Sequence, residues 1–154
     1  METEKRWLSV DGPALVRKMG IRKGHTVVDF GCGAGYYTFP ASIVVQSTGR
    51  VYALDNDEEV IRNIAKKAKE SQYSNIIPLL VQKDLSLELG KGIADVVLLF
   101  DVLHYFNEKE RNCFQKSTVS WRITVWYLFI QNIINSILLC GHWLIWISRT
   151  SSKK

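Results

Sequence analysis

A short β-branched run that breaks directly into alternating glycines is the feature that most constrains the fold of this chain. Thr26-Val-Val-Asp-Phe30 predicts a buried strand, and Gly31-Cys-Gly-Ala-Gly35 follows it without a spacer. Residues 36–46 can form a helix after the glycines. Glycines at alternate positions let the backbone pass close beneath a ligand, and the start of a helix offers free N–H groups. The pattern therefore predicts a strand, a ligand-binding turn and a helix.

Strands and helices continue to alternate after this turn. Further strands are predicted at residues 50–54, 76–81 and 93–100, and Asp57-Glu58-Glu59 opens a helix between the first two. A short helix capped by Asp11 precedes the first strand and ends before Gly20. This order predicts an α/β fold with a doubly wound, mostly parallel sheet of the Rossmann-like kind.

Acidic residues follow the predicted strands. They are Asp29, Asp55, Asp84 and Asp101, and His104 comes shortly after the last of them. Ligands of open α/β sheets bind outside the carboxyl ends of the strands, so these side chains are the candidate site. A nicotinamide-binding turn needs G-x-G-x-x-G, but Tyr36 or Thr38 stands where its last glycine belongs.

Val28-Asp-Phe-Gly-Cys-Gly-Ala-Gly35, with Asp55 at the end of the next strand, resembles the first motifs of class I S-adenosylmethionine-dependent methyltransferases. The resemblance runs from about residue 24 to residue 106. It implies that the chain binds S-adenosyl-L-methionine and transfers its methyl group, by in-line displacement, to an unidentified small-molecule acceptor. It also implies that Asp29 and the backbone of Gly31, Gly33 and Gly35 hold the methionine portion, and that Asp55 accepts both ribose hydroxyls.

The resemblance extends to the later strand ends. It implies that Asp84 accepts from the adenine amino group, that the Leu85 N–H meets the adenine ring, and that Asp101 belongs to the cofactor site beside the methyl acceptor. His104 is the histidine placed to act as a base. Each residue also has a structural interpretation. Asp55 or Asp57 can cap the following helix, Asp84 suits a turn, and His104 can be a packed core residue.

The end of the chain differs sharply in composition. All fifteen acidic residues lie at or before Glu110, whereas residues 111–154 carry six basic residues and no acid. The family's usual turn and fifth strand are not readable there, which predicts a sheet truncated after its fourth strand. Residues 123–148 form a charge-free run, longer than the roughly 20 residues that span a bilayer as a helix.

Three interpretations of this run stay open. Tryptophans at both of its ends resemble the aromatic belts of a membrane span. Polar residues fall on one helical face, which favours instead a segment that replaces the missing strands or lies on a membrane surface. The third interpretation is a shifted reading frame near residues 112–115. Codons for residues 116–125, when read one base later, can encode Arg-Val-Leu-x-x-Gly-Gly-Leu-Leu-Ser, which is close to the family's turn.

The predicted organisation is a lead-in helix over 1–23, an S-adenosylmethionine-binding domain over 24–110 and a hydrophobic basic tail over 111–154. The three cysteines have no disulfide or zinc spacing, and the charged N-terminus does not resemble a signal peptide, which predicts a cytoplasmic protein with membrane association through 123–148. Lys66, Lys67 and Lys69 are interpreted as a solvated helix face, so no nucleic-acid partner is predicted. An inactive or truncated cofactor-binding remnant and a membrane-tethered methyltransferase-like protein are the alternatives.

Overall fold

The computed structural model describes residues 2–81, 93–100, 102 and 124–128 of the 154-residue chain. The described helices are α1 (Glu2–Arg6), a π-helical turn (Trp7–Asp11), α2 (Gly12–Lys18), α3 (Thr38–Val45) and α4 (Glu58–Glu70). The described strands are β1 (Thr26–Phe30), β2 (Arg50–Asp55), β3 (Ile76–Leu80), β4 (Val96–Phe100) and β5 (Thr124–Leu128).

The strands form one sheet in the order β3-β2-β1-β4-β5, and every adjacent pair is parallel. In the centre of the sheet, Val28 of β1 pairs with Tyr52 of β2 on one side and with Val97 of β4 on the other. The order reverses at β1, because β2 and β3 extend to one side and β4 and β5 to the other. The predicted doubly wound parallel sheet is confirmed, and its switch point lies between β1 and β4.

The fifth strand departs from the sequence-based expectation. β5 pairs along its whole length with β4, from Val96 beside Thr124 to Phe100 beside Leu128. The sheet therefore continues past the fourth strand, where truncation was predicted, and it uses the first residues of the charge-free run. Thr-Val-Trp-Tyr-Leu is rich in β-branched and aromatic residues, which suit a strand better than a helix. Residues 129–148 of that run lie outside the described part of the chain.

In the described ranges, no helix combines the length and the apolar character needed to cross a bilayer.

Two apolar layers enclose the sheet. Helices α2, α3 and α4 cover one face, where Val27, Phe39 and Leu98 belong to a single buried cluster. Val28 and Leu54 lie on the opposite face, in a second cluster. Because side chains alternate along a strand, Asp29 shares the helix-covered face with Val27. The carboxyl end of β1 thus directs its acid beneath α3.

The N-terminal segment is longer than the predicted capped helix. The chain is helical from Glu2 onward, and Asp11 itself has helical backbone angles of −72° and −43°. Its carboxylate forms an ion pair with Arg6 at 3.0 Å and makes no capping hydrogen bond, because the helix does not start there. Gly12 packs directly on the start of α3, where an added β-carbon would lie 2.6 Å from Cγ of Pro40.

Candidate functional site

The turn between β1 and α3 is fastened to the end of β2. The N–H groups of Gly31 and Cys32 both donate to the Leu54 carbonyl, at 2.8 and 2.9 Å. The Gly33 N–H donates to Oδ2 of Asp55 at 3.0 Å. The turn and Asp55 therefore form one unit at the carboxyl ends of two adjacent strands.

The three glycines of the turn have different surroundings. A β-carbon at Gly31 would collide with Val102, and one at Gly35 would lie 2.6 Å from the Phe39 ring and 2.8 Å from Ile64. Among the described residues, no atom lies within 4 Å of a β-carbon added at Gly33, and φ is +49°, which glycine adopts without strain. Packing thus requires two of the glycines, and Gly33 alone of the three opens onto free space.

Asp55 is partly buried and already oriented. Its Oδ2 accepts from the Gly33 N–H, and its Oδ1 accepts from the Asp57 N–H at 3.1 Å. A carboxylate oxygen can accept more than one hydrogen bond, so both oxygens retain capacity for a ligand.

Asp57, rather than Asp55, caps the following helix. Its backbone is extended, with φ −97° and ψ 116°, and its side chain accepts from the Glu59 N–H at 2.8 Å. Sequence alone allowed either acid to cap α4. The structure shows that Asp57 is the N-cap and that Asp55 is not.

Asp29 lies beneath the turn, with only 2% of its surface exposed. Oδ2 accepts a hydrogen bond of 2.5 Å from the Thr38 hydroxyl, at the first residue of α3. Burial raises the pKa of Asp29 to about 6, the Thr38 hydrogen bond acts in the opposite direction, and the negative charge of Asp55 raises the pKa further. Asp29 is therefore a buried acid whose ionisation is opposed by the negative charge of Asp55.

Aromatic residues border the turn on the side of β4. The Tyr37 ring stacks on Phe100, the last residue of β4, with centroids 3.7 Å apart. Burial raises the pKa of Tyr37, and the charge of Asp29 adds to the increase. Sequence reasoning missed Tyr37, although the pair of aromatic residues that follows Gly35, Tyr36 and Tyr37, was the available signal.

Cys32 agrees with its interpretation as a small packed residue. It is 7% exposed and belongs to the helix-covered core cluster. Burial, followed by the charges of Asp29 and Asp55, raises the pKa of its thiol far above the ordinary value. The thiol is therefore a poor nucleophile at neutral pH.

The structure brings Asp29, Gly31, Gly33, Gly35 and Asp55 together, as the sequence predicted. Asp84, Leu85, Asp101 and His104 lie outside the described residues. Within residues 2–81 and the other described segments, no group of three or more His, Cys, Asp or Glu could hold a metal ion.

Residues 21–119 match the family described as "Methyltransferase domain". The match covers more than half of the chain and includes every element from β1 to β4. The chain belongs to this methyltransferase family. The resemblance seen in the glycine turn and its acids is confirmed at the level of the family.

Curated relatives match the same region. The chain is 40% identical over 63 residues to a probable cobalt-precorrin-6B C(15)-methyltransferase (decarboxylating) of Saccharolobus solfataricus, covering 41% of this chain and 32% of the relative. It is 33% identical over 84 residues to a demethylmenaquinone methyltransferase of Lactococcus lactis, covering 54% of this chain and 33% of the relative. The aligned part of the chain thus spans about a third of the length of these relatives.

Solved structures share the fold at lower identity. A SAM-dependent methyltransferase from Aquifex aeolicus superimposes with a TM-score of 0.66 at 24% identity, over 78% of this chain and 65% of that one. Coclaurine N-methyltransferase, bound to N-methylheliamine and SAH, gives 0.63 at 18% identity, over 77% of this chain and 34% of that one. These neighbours confirm the Rossmann-like methyltransferase fold, and the ligand named for them agrees with the predicted cofactor class.

The burial of Asp29 predicts a specific pH dependence of stability. The folded chain holds the Asp29 proton more tightly than the unfolded chain, so the free energy of unfolding should fall as pH rises from about 4 to about 6. The expected fall attributable to Asp29 is roughly 3 kcal/mol. Urea unfolding of the wild-type chain and of Asp29→Asn, at each pH from 4 to 7, isolates it, because the other titrations cancel in the difference. A difference between the two proteins that does not change with pH would contradict the assignment.

Proposed function

We propose that this chain binds S-adenosyl-L-methionine in the turn between β1 and α3 and transfers its methyl group to a small-molecule acceptor. One observation carries the proposal: the turn leaves space open at Gly33, while the Gly33 N–H orients the Asp55 carboxylate beside that space. The site lies at the carboxyl ends of the strands, where α/β sheets bind ligands. Membership of the methyltransferase family supports the same conclusion.

The residues present suit the cofactor. A ribose presents two neighbouring hydroxyl donors, and Asp55 is an acceptor with unused capacity on both oxygens. Open space at Gly33 lets a ligand approach the backbone, which a β-carbon would obstruct. The free acceptor capacity of Asp55 and the open space at Gly33 therefore fit an adenosine-bearing ligand.

Charge supports a cationic ligand in particular. The ion pairs found among the described residues join Arg6 to Asp11, Arg62 to Glu58 and Lys67 to Glu4, so none of them involves Asp29, Asp55 or Asp57. Among the described residues, three carboxylates near the turn thus have no cationic side chain paired with them. A bound sulfonium supplies an already activated methyl group, and this chain's part is to bind and align it.

Residues outside the described ranges complete the proposal. Asp84 and Leu85 would meet the adenine ring, Asp101 would extend the cofactor site, and His104 would serve as a base for acceptors that need deprotonation. Relatives differ in acceptor: they include precorrin and demethylmenaquinone methyltransferases, and coclaurine N-methyltransferase is a structural neighbour. Small molecules recur among them, which favours this acceptor class.

Calorimetric titration of the full-length chain with S-adenosylhomocysteine tests the function, with NADH as the control ligand and mild detergent present throughout. We expect a micromolar dissociation constant for S-adenosylhomocysteine and no heat from NADH. Absence of binding, in a chain that circular dichroism shows to be folded, would reject the cofactor site.

A remnant whose C-terminal part is read from a shifted frame is the second candidate. Two observations favour it: acids disappear after Glu110, and the neighbouring frame permits a turn of the family type at residues 116–125. The nucleotide sequence of the gene tests this candidate directly. A neighbouring frame without a family-like ending would eliminate it. A membrane tether through residues 123–148 predicts instead that extraction of the chain from cells depends on detergent.

Substitution of Gly33 by valine should abolish S-adenosylhomocysteine binding, because a branched side chain would fill the open space at the turn. Gly20→Val is the matched control, since Gly20 also has positive φ (+89°) and open surroundings but lies between α2 and β1. Both substitutions place a side chain at positive φ, so each variant is expected to lose stability, and ligand space is lost only at Gly33. Equal affinity of the two variants, measured by calorimetry, would remove Gly33 from the site.

Asp55→Ala should weaken S-adenosylhomocysteine binding by roughly 10- to 100-fold, the range expected for lost charge-assisted hydrogen bonds. Asp57→Ala should instead lower the stability of the chain by about 1 kcal/mol, through loss of the α4 cap, with affinity changed less than about two-fold. Calorimetry and urea unfolding of both variants measure the two effects. Equal losses of affinity would show that Asp55 is not the ribose acid.

A further inference from the structure

One side chain, Trp7, connects the N-terminal helical segment to the ligand-binding turn. Its indole N–H donates to the Tyr36 carbonyl at 2.9 Å, between residues 29 positions apart. Its ring meets the edge of the Tyr37 ring, with centroids 6.0 Å apart and planes at 84°. Tyr37 in turn stacks on Phe100. Three rings therefore run from the N-terminal segment past the turn after β1 to the end of β4, the two strands that flank the switch point.

The backbone around Trp7 departs from a regular helix. Trp7 opens the π-helical turn, and the Gly12 N–H closes it by donating to the Trp7 carbonyl. Such turns are rare and lie frequently at functional sites. On the other side of the turn, Gly12 sits so close to α3 that an added β-carbon would lie 2.6 Å from Cγ of Pro40 and 2.8 Å from the Trp7 oxygen. The π-helical turn thus sets the position of Trp7, and the close contact of Gly12 with Pro40 holds the N-terminal segment against α3.

Tyr36 and Tyr37 are the residues that join the glycine turn to α3. The Tyr36 side chain is 58% exposed, so packing of that side chain does not fix the backbone there. Tyr37 precedes the first residue of α3 and makes no capping hydrogen bond with its side chain. Trp7 instead holds this link at two points, the Tyr36 carbonyl and the Tyr37 ring.

We propose that Trp7 is a positioning residue of the cofactor site, which makes the N-terminal helical segment a part of that site. By holding the link from Tyr36 to Tyr37, Trp7 keeps the backbone after Gly35 in its ligand-binding conformation. The inference rests on the proposed cofactor function of the turn. Coupling of this kind is reciprocal: if the Trp7 contact improves ligand binding by some factor, bound ligand must stabilise the contact by the same factor.

Trp7→Phe retains an aromatic ring and removes the N–H donor. We expect it to weaken S-adenosylhomocysteine binding about five-fold, the equivalent of one net hydrogen bond. Val10→Ala is the matched control, because Val10 belongs to the same π-helical turn and is 56% exposed. The control should bind with unchanged affinity. Calorimetry of both full-length variants gives the comparison.

Solvent exchange of the Trp7 indole proton supplies a readout on the unmutated chain. The chain has five tryptophans, and the indole signal missing from the nuclear magnetic resonance spectrum of Trp7→Phe identifies Trp7. Saturating S-adenosylhomocysteine should slow exchange of that proton by about five-fold, equal to the affinity lost in Trp7→Phe. A purely structural tryptophan would lower stability in the variant, and ligand would slow exchange of its indole proton only through slower global unfolding.

The outcomes separate the inference from the function on which it rests. Unchanged affinity in Trp7→Phe, or an indole proton that exchanges equally fast with and without ligand, overturns the role of Trp7 while the cofactor site stands. If the wild-type chain does not bind S-adenosylhomocysteine, the proposed function itself fails. If Trp7→Phe does not fold, the indole signal is assigned by labelling Trp7 alone, and the exchange measurement decides.

Discussion

The Leu54 carbonyl at the end of β2 accepts hydrogen bonds from two consecutive N–H groups, those of Gly31 and Cys32, and the candidate site depends on this pairing. It bends the chain over the neighbouring strand as soon as β1 ends. The following N–H group, that of Gly33, then donates to the carboxylate of Asp55, the residue after Leu54. A parallel arrangement of β1 and β2 makes this possible, because both strands end at the same edge of the sheet.

Electrostatics follow from the same geometry. Asp29 and Asp55 lie near the ends of adjacent strands, and the charge of Asp55 contributes to the raised pKa of Asp29. Asp29 is buried under α3 and is stabilised by Thr38, whereas Asp55 is partly exposed and is stabilised by backbone N–H groups. The two acids therefore differ in their surroundings: Asp29 is buried beneath the turn, and Asp55 has carboxylate oxygens that can accept further hydrogen bonds.

Local pattern was sufficient to predict the cofactor half of the fold. The β-branched run of β1, the glycines and the acid at the end of β2 lie within about thirty residues, and backbone preferences alone order them. The choice between Asp55 and Asp57 as the helix cap needed the backbone angles at Asp57, because both acids suit a cap in sequence. The Trp7 contact with Tyr36 could not be predicted from sequence. The two residues are 29 positions apart, and their contact depends on where the N-terminal helical segment packs in the folded chain. A strand in the segment of β5 was only one of the interpretations left open, because a long charge-free run is ambiguous between helix and strand.

The spacing of the three glycines combines constraints of two different origins. Gly31 is required because Val102 lies against it, and Gly35 is required because Phe39 and Ile64 do. Both constraints belong to packing, and a chain with no ligand would still need them. Gly33 has no such neighbour, so nothing in the described structure other than its positive φ excludes a side chain there. In the described structure, packing therefore accounts for the flanking two glycines, through Val102 after β4 and through the helices, and it does not account for the middle one.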